Sequence, residues 1–189
     1  MTAATTTTIR IAPLEPPYHP ETEDYLTKLM PPDSGLDPLK LFRTLAVNRE
    51  LASRMRPLGA YFLAHANIEP RDRELVILRT CARNGAEYEW GVHATLFSEL
   101  SQREIEATFP AVQHAWAERD ALLLELSDEL HYLGTLSDET WERLRAHWTE
   151  AQLLELIVLA GWYRTISYAI NALGIELEEW AQRFPGVAE

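Results

Sequence analysis

The sequence is short of cysteine and of basic side chains, and each shortage excludes a class of protein. Cys81 is the only cysteine in 189 residues, so the chain can form no internal disulfide and has no CxxC redox or zinc motif. Lys and Arg number 17 against 29 Asp and Glu, which gives a formal net charge of -12. Because nucleic-acid binding depends on clustered cations that neutralise phosphates, we expect no nucleic-acid partner.

Long apolar runs and targeting signals are scarce as well. No run of consecutive apolar residues approaches the roughly 20 residues of a membrane span. Residues 1–10 lack the basic-then-apolar pattern of a signal peptide. These observations predict a soluble chain with no membrane partner and a cytoplasmic location. With 47% hydrophobic and 24% charged residues, the composition is typical of one globular domain.

Prolines are concentrated near the N-terminus, where residues 1–38 hold seven of the 11 prolines. Each proline lacks a backbone N–H and has a fixed φ, which favours an extended arm over long helices. We predict such an arm over residues 1–38, with one short helical piece within 21–30. Its apolar side chains favour an arm that lies across a surface over a disordered one.

From residue 39 onward, apolar residues recur at spacings of three and four, which predicts helices. We predict one all-α domain over residues 39–180 and a C-terminal tail over 181–189. No alternating strand pattern or hairpin turn is present. The predicted helices cover residues 39–65, 70–83, 86–100, 111–132 and 149–173, with a polar link at 101–109 and a further helix that opens at Ser137.

Glu89 and His93 occupy an unusual place on the predicted helix 86–100. At about 100° per residue, they share one arc with apolar residues such as Trp90, which places two ionisable groups in the apolar stripe. A buried ionisable group without a partner costs several kcal/mol at the order-of-magnitude level, so we expect the two to contact each other. A helix ion pair at this spacing, contributing only about 0.2–0.5 kcal/mol, is the alternative interpretation.

The chain contains a faint internal repeat. The sequence ELVIL at residues 74–78 recurs as ELIVL at 155–159, and each copy precedes a helix with aromatic residues. In the second copy, the position equivalent to His93 is Gly174, and no ionisable pair is present. The pattern therefore predicts chemistry in the first half and a scaffold role for the second.

Residues 74–79 and 85–93 resemble the core of the carboxymuconolactone decarboxylase family, which includes the alkylhydroperoxidase D-like proteins. Residues 155–157 and 171–177 resemble the longer members with two repeats, so the resemblance covers about residues 38–178. It implies an all-helical bundle built around an antiparallel helix pair, assembled into a homo-oligomer that is a trimer or hexamer; a dimer is the other assembly expected, from the apolar helices alone. Helices that are apolar around most of their circumference favour a homo-oligomer too.

The chain departs from the peroxidase branch of this family at two positions. In that branch, a glutamate precedes a CxxC pair and a histidine, and the matching positions here are Glu74, Ala86, Glu89 and His93. Both cysteines of the pair are therefore replaced. Peroxide reduction needs one thiolate to attack the peroxide and a second thiol to resolve the sulfenic acid, and Cys81 alone cannot supply such a pair.

The decarboxylase branch fits better, because Glu and His suit acid–base catalysis without thiols. In this hypothesis, His93 donates a proton to carbon, Glu89 orients the imidazole and Glu74 completes the relay. The substrate is a small carboxylated or enolisable molecule. The side chains predicted to bind it are Arg79, with Arg83 as the alternative, Tyr88 and Trp90.

Two other functions stay open. One is a non-catalytic, oligomeric small-molecule-binding protein on the same scaffold, and the other is an alkylhydroperoxidase-like peroxidase that uses Cys81. We expect no cofactor and no metal. Glu74, Glu89 and His93 are residue types that bind divalent ions, but their spacing matches no zinc signature.

Overall fold

The computed structural model describes residues 8–30, 35–97 and 99–186. Within these residues the regular structure is entirely helical, with no strand, which confirms the predicted all-α class. Parts of the predicted arm and tail (1–7, 31–34 and 187–189) and Ser98 lie outside the described residues. The α-helices are α1 Pro20–Thr27, α2 Lys40–Leu45, α3 Arg49–Ala64, α4 Pro70–Arg83, α5 Glu87–Leu96, α6 Gln102–Ala107, α7 Glu118–Leu133, α8 Asp138–Arg145 and α9 Glu150–Leu173, with a short 3-10 helix at Ala46–Asn48.

The ends of the two central helices follow local sequence signals. Pro70 occupies the first turn of α4, where its missing N–H leaves no bond unmade. At the start of α9, Thr149 and Gln152 form a reciprocal capping box. The helix ends at Gly174, which adopts a φ of 67° that glycine tolerates best. Both helices agree with the predicted boundaries.

Three predicted segments need correction. The predicted polar link at 101–109 contains α6, because Ser101 and Glu104 form a capping box that nucleates a helix. The predicted helix 111–132 begins only at Glu118, and the residues before it run along the surface while Trp116 packs against the core. Helix α5 ends at Leu96, short of the predicted residue 100.

Helix α4 lies at the centre of the hydrophobic core. Its segment 75–78 is completely buried. A helix that is apolar on every face has to be surrounded by other helices, and α5, α7 and α9 pack around α4. Helix α9 is long and apolar enough to cross a membrane by length and composition alone, although Glu155 and Arg164 interrupt its apolar sequence. Half of its most apolar 18-residue window is buried inside the fold, as in the core helix of a soluble protein.

The described part of the N-terminal arm lies across the helical domain. The backbone N–H of Arg10 donates to the carbonyl of Leu173, and its guanidinium donates to the carbonyl of Ala172. Arg43 donates to the carbonyl of Leu14 and accepts a bond from the Leu14 N–H. The arm thereby satisfies carbonyl groups at the C-terminal end of α9, which a helix leaves unpaired.

The C-terminal segment closes the core on the side of α5. A Cβ atom on Gly91 would lie 2.2 Å from the carbonyl oxygen of Gln182, so only glycine permits this close approach. The ring of Phe184 packs against Trp90 and Phe109, at centroid distances of 5.5 Å and 4.9 Å. Residues 181–186 therefore seal the domain rather than extend from it.

Candidate active site

A cavity of about 340 Å³ lies between α5 and the helices α1, α2, α3 and α9. Its volume is near the lower end of the roughly 300–1,000 Å³ that small-molecule sites span. The wall is mostly apolar, so the cavity suits a small and largely apolar molecule. The apolar lining includes Leu29, Leu41, Phe42, Leu45, Met55, Val92, Phe97, Trp162 and Ile166.

Glu89 and His93 form the polar part of the cavity wall. They are 7% and 3% exposed, and Oε1 of Glu89 lies 3.6 Å from Nε2 of His93. The helix therefore brings the two side chains together, as their spacing predicts. The second oxygen of Glu89, Oε2, is buried without a hydrogen-bond partner among the described residues. A carboxylate oxygen left in this way is ready to accept a proton or a hydrogen bond from a ligand.

Glu74 reaches the same cluster from α4. It is 0% exposed, with Oε2 at 2.8 Å from Nδ1 of His93 and Oε1 accepting a bond from Nε of Arg73 at 2.9 Å. His93 thus lies between two carboxylates, one beside each ring nitrogen. The three residues predicted to be catalytic meet in space. In the described part of the chain, no group of three or more His, Cys, Asp or Glu is arranged to hold a metal ion.

The protonation of His93 follows from these neighbours. Burial by itself lowers the pKa of the imidazole, but the charges and hydrogen bonds of Glu74 and Glu89 outweigh it and raise the pKa to about 9. At neutral pH, His93 is therefore an imidazolium with an N–H on both nitrogens. It can donate a proton, and Glu89 beside it can accept one.

Two aromatic rings hold the imidazole in place. Phe97 and Tyr163 each contact the His93 ring at a centroid distance of 5.0 Å, and both line the cavity. Tyr163 was not among the predicted site residues. The only sequence signal for it was its position four residues after the second copy of the internal repeat, on the same helix.

Arg79 is not among the described residues that line the cavity, and its role in substrate binding stays a prediction. Its guanidinium forms two bonds with Asp128, at 2.7 Å and 2.6 Å, and donates a third to the carbonyl of Thr108. Arg83, the alternative, forms two bonds with the same Asp128. Both arginines therefore connect α4 to α7. The paired N–H donors that could bind a substrate carboxylate are already bound to Asp128.

Tyr88 and Trp90 are also not among the described lining residues, and their substrate contacts stay predictions. The hydroxyl of Tyr88 donates to Glu178 at 2.6 Å. The indole N–H of Trp90 donates to Thr108 at 2.9 Å, and the ring is completely buried. Both residues connect α5 to neighbouring segments.

Cys81 is buried in the core and is not among the described residues that line the cavity. Burial, followed by the nearby charge of Glu89, raises the pKa of the thiol well above its ordinary value. The thiolate is the reactive form of cysteine, so this environment suppresses reaction with peroxide. The geometry gives no support to a redox role for Cys81.

Comparison with known proteins agrees with the resemblance seen in the sequence. Residues 49–123 match the model of the carboxymuconolactone decarboxylase family. This part of the chain contains Glu74, Glu89 and His93. No curated protein sequence matches the chain.

Several solved structures share the fold at low sequence identity. A peroxidase-related protein from Silicibacter sp. TM1040 is 12% identical, with a TM-score of 0.78 over 95% of both chains. A peroxidase-related protein with an alkylhydroperoxidase AhpD core, from Ralstonia eutropha JMP134, is 13% identical, with a TM-score of 0.75 over 89% of this chain and 93% of that one. The debrominase Bmp8 (C82A) is 14% identical, with a TM-score of 0.73 over 93% of this chain and 95% of that one.

The all-helical fold is the one that these alkylhydroperoxidase D-like structures share. The family match over residues 49–123, together with these structures, supports a carboxymuconolactone decarboxylase-like assignment for this part of the chain. At the two CxxC positions of the peroxidase branch it carries Ala86 and Glu89.

Proposed function

We propose that this protein is an acid–base enzyme, of the decarboxylase or isomerase type, that acts on a small carboxylated or enolisable molecule without a redox cysteine pair. The observation that supports this proposal is the pairing of Glu89 and His93 in the cavity wall. One is a buried carboxylate with an unpartnered oxygen, and the other has a pKa of about 9. A base and an acid side by side are what proton transfer at carbon requires.

In the proposed isomerisation, Glu89 accepts a proton from the carbon next to a carbonyl group. The electron pair of the C–H bond moves toward the carbonyl oxygen and forms an enolate. His93 then donates a proton to another carbon of the conjugated system, and Glu89 returns the first proton to the imidazole. Glu74 does not line the cavity, so it acts as a positioning residue that holds the Nδ1 side of the ring and keeps it charged.

In the proposed decarboxylation, the bond between carbon and the substrate carboxylate breaks and carbon dioxide leaves. The electron pair moves into the conjugated carbonyl group of the substrate. His93 then protonates the carbon and regains a proton from solvent. The apolar wall favours this step, because a carboxylate in an apolar environment loses the hydration that stabilises it.

A solved relative supports the choice of ligand size. The debrominase Bmp8 (C82A) was solved in complex with 2,3,4-tribromopyrrole, a small ring with apolar substituents. A molecule of this size suits a cavity of about 340 Å³. The chemistry of this chain differs from that of thiol-dependent enzymes, because Cys81 is buried and has no second cysteine beside it.

Deuterium exchange tests the proposal on a panel of candidate substrates, namely enolisable cyclic ketones and unsaturated lactones. In heavy water, the protein should catalyse incorporation of deuterium at carbon into members of this panel, as followed by NMR. Glu89→Gln should lower this rate about 100-fold, because the amide cannot accept the proton.

The matched control for this experiment is Glu87→Gln. Glu87 lies on the same helix, but its carboxylate accepts the N–H of Phe184 and is not part of the described cavity lining. This variant should keep the exchange rate of the unchanged protein. Equal rates for the two variants, or no exchange with any member of the panel, would count against the proposed function.

A non-catalytic small-molecule-binding protein is the second candidate. The apolar character of the wall favours it, since Glu89, His93 and Tyr163 are the only buried ionisable side chains among the described lining residues. In this case the panel molecules bind to the protein but incorporate no deuterium. Glu89→Gln then changes only their affinity.

We propose in addition that the protein forms a homo-oligomer through α9. Leu154, Val158 and Tyr168 are exposed on this helix, and a Cβ on Gly161 would meet no atom within 4 Å. Their steps of four, three and seven residues follow the heptad spacing of a helix–helix seam. We expect sedimentation at micromolar concentration to show a dimer or a larger assembly, and a clean monomer would contradict the proposal.

A further inference from the structure

The cavity has a second group of charged residues, on its solvent-facing rim. Lys28 and Arg56 line the cavity and are exposed, whereas Glu89 and His93 line it and are buried. The charges are thus separated by depth, with two cations outside and the acid–base pair inside. The rest of the lining includes apolar side chains from α2, α3 and α9.

The sign of the rim charge is opposite to that of the whole protein. Acidic residues outnumber basic ones by 29 to 17, but the only carboxylate among the described lining residues is the buried Glu89. Lys28 is already paired with Asp24 at 2.5 Å, so Arg56 is the rim cation that remains to attract an anion.

The guanidinium of Arg56 has donors available for a ligand. One N–H donates to the backbone carbonyl of Lys28 at 3.3 Å, which holds the side chain against the end of α1. No carboxylate pairs with Arg56 within the described ranges, whereas Arg54 pairs with Glu50 at 3.1 Å. Arginine carries five N–H donors, so most of those on Arg56 remain for an anion.

We propose that this rim is an anion subsite, and that the ligand of the cavity is an amphipathic carboxylate. Its carboxylate lies at Arg56, and its apolar body fills the cavity. The planar fork of an arginine matches a carboxylate in two parallel hydrogen bonds. A carboxylate bound at the inner end instead would face the charge of Glu89, so this subsite fits the proposed isomerisation and not the decarboxylation.

The role of the inner end of this ligand rests on the proposed function, because Glu89 and His93 would act on that end. The carboxylate on the rim is not the reacting group. It fixes the orientation of the molecule, so that the opposite end enters first. Arg56 is therefore a specificity-determining residue on a helix that carries none of the acid–base groups.

Two probes with the same skeleton test the subsite by titration calorimetry: phenylpropanoate, which is an anion, and phenylpropanol, which is uncharged. The unchanged protein should bind the carboxylate roughly fivefold more tightly than the alcohol, the effect of a partly exposed charge pair. Arg56→Gln should abolish this preference and leave the affinity for the alcohol unchanged. Arg56→Lys should retain part of it, because the charge is kept.

The matched control is Arg54→Gln, on the same helix and outside the described cavity lining, which should retain the full preference. Raising the salt concentration from about 10 mM to about 1 M should weaken binding of the carboxylate only, because salt screens exposed charges. Equal affinity for the two probes, no binding of either, or an unchanged preference in Arg56→Gln would overturn the proposal.

The two proposals can fail separately. A carboxylate preference that depends on Arg56, in a protein that exchanges no deuterium, keeps the subsite and removes the proposed catalysis. Exchange that depends on Glu89, with no preference between the two probes, keeps the catalysis and removes the subsite.

Discussion

Replacement of Glu74 by alanine should lower the free energy of unfolding by about 3–5 kcal/mol. Glu74 is completely buried and bonds to both His93 and Arg73. Its removal leaves two cationic side chains next to each other without their shared carboxylate. Removal of one partner from a buried charged cluster costs this much because the remaining charge has lost both its water and its counter-charge.

Urea unfolding at neutral pH measures the effect. The matched control is Glu50→Ala, which also removes the carboxylate partner of an arginine, but from an exposed pair on α3. The free energy of unfolding of this control should stay close to that of the unchanged protein. A loss of less than about 1 kcal/mol for Glu74→Ala would contradict a stabilising role for Glu74 in the cluster.

The unchanged protein should lose stability as the pH rises from 6.5 to 9. The pKa of His93 rises from 6.5 to about 9 in the folded protein, because Glu74 and Glu89 outweigh the opposing effect of burial. The folded state therefore holds a proton that the unfolded state has released. This contribution is fully present below pH 6.5 and is lost as the pH passes about 9; the difference between the two pKa values corresponds to about 3 kcal/mol.

Unfolding curves at several pH values measure this loss, and NMR titration of the imidazole gives the pKa directly. In His93→Gln the alkaline loss should disappear. His131→Gln is the matched control and should retain it, because burial and nearby arginines lower the pKa of His131, so its own contribution lies at acidic pH. A flat profile of the unchanged protein between pH 6.5 and 9 would contradict the assigned charge of His93.

The parts of the fold that sequence could predict are those with local causes. Pro70 and Gly174 determine helix ends through their own backbone preferences, and both ends agree with the prediction. The capping box of Ser101 and Glu104 is equally local, but its short helix falls within the predicted link. The late start of α7 depends on how Trp116 packs against the core, and no local pattern reports such packing.

In the candidate site, too, contacts between residues close in sequence were predictable and contacts between distant residues were not. Glu89 and His93 lie one helical turn apart, so their contact was predictable from spacing, and the family resemblance added Glu74. The partner of Arg79 was not predictable, because Asp128 is 49 residues away in sequence. The cavity itself was not predictable either, since α1 and α3 supply its rim and carry no motif; Arg56 becomes a site residue only through tertiary packing.

The burial of Cys81 has a practical consequence for measurements on this protein. Its thiol has no exposed surface, and burial raises its pKa, so an alkylating reagent can reach it only while the helices around α4 are separated. As the chain has no other cysteine, the alkylation rate reports that opening without a competing signal. A second cysteine placed on the cavity rim would react without this opening of the core. The two alkylation rates would therefore distinguish entry of small molecules into the cavity from opening of the core.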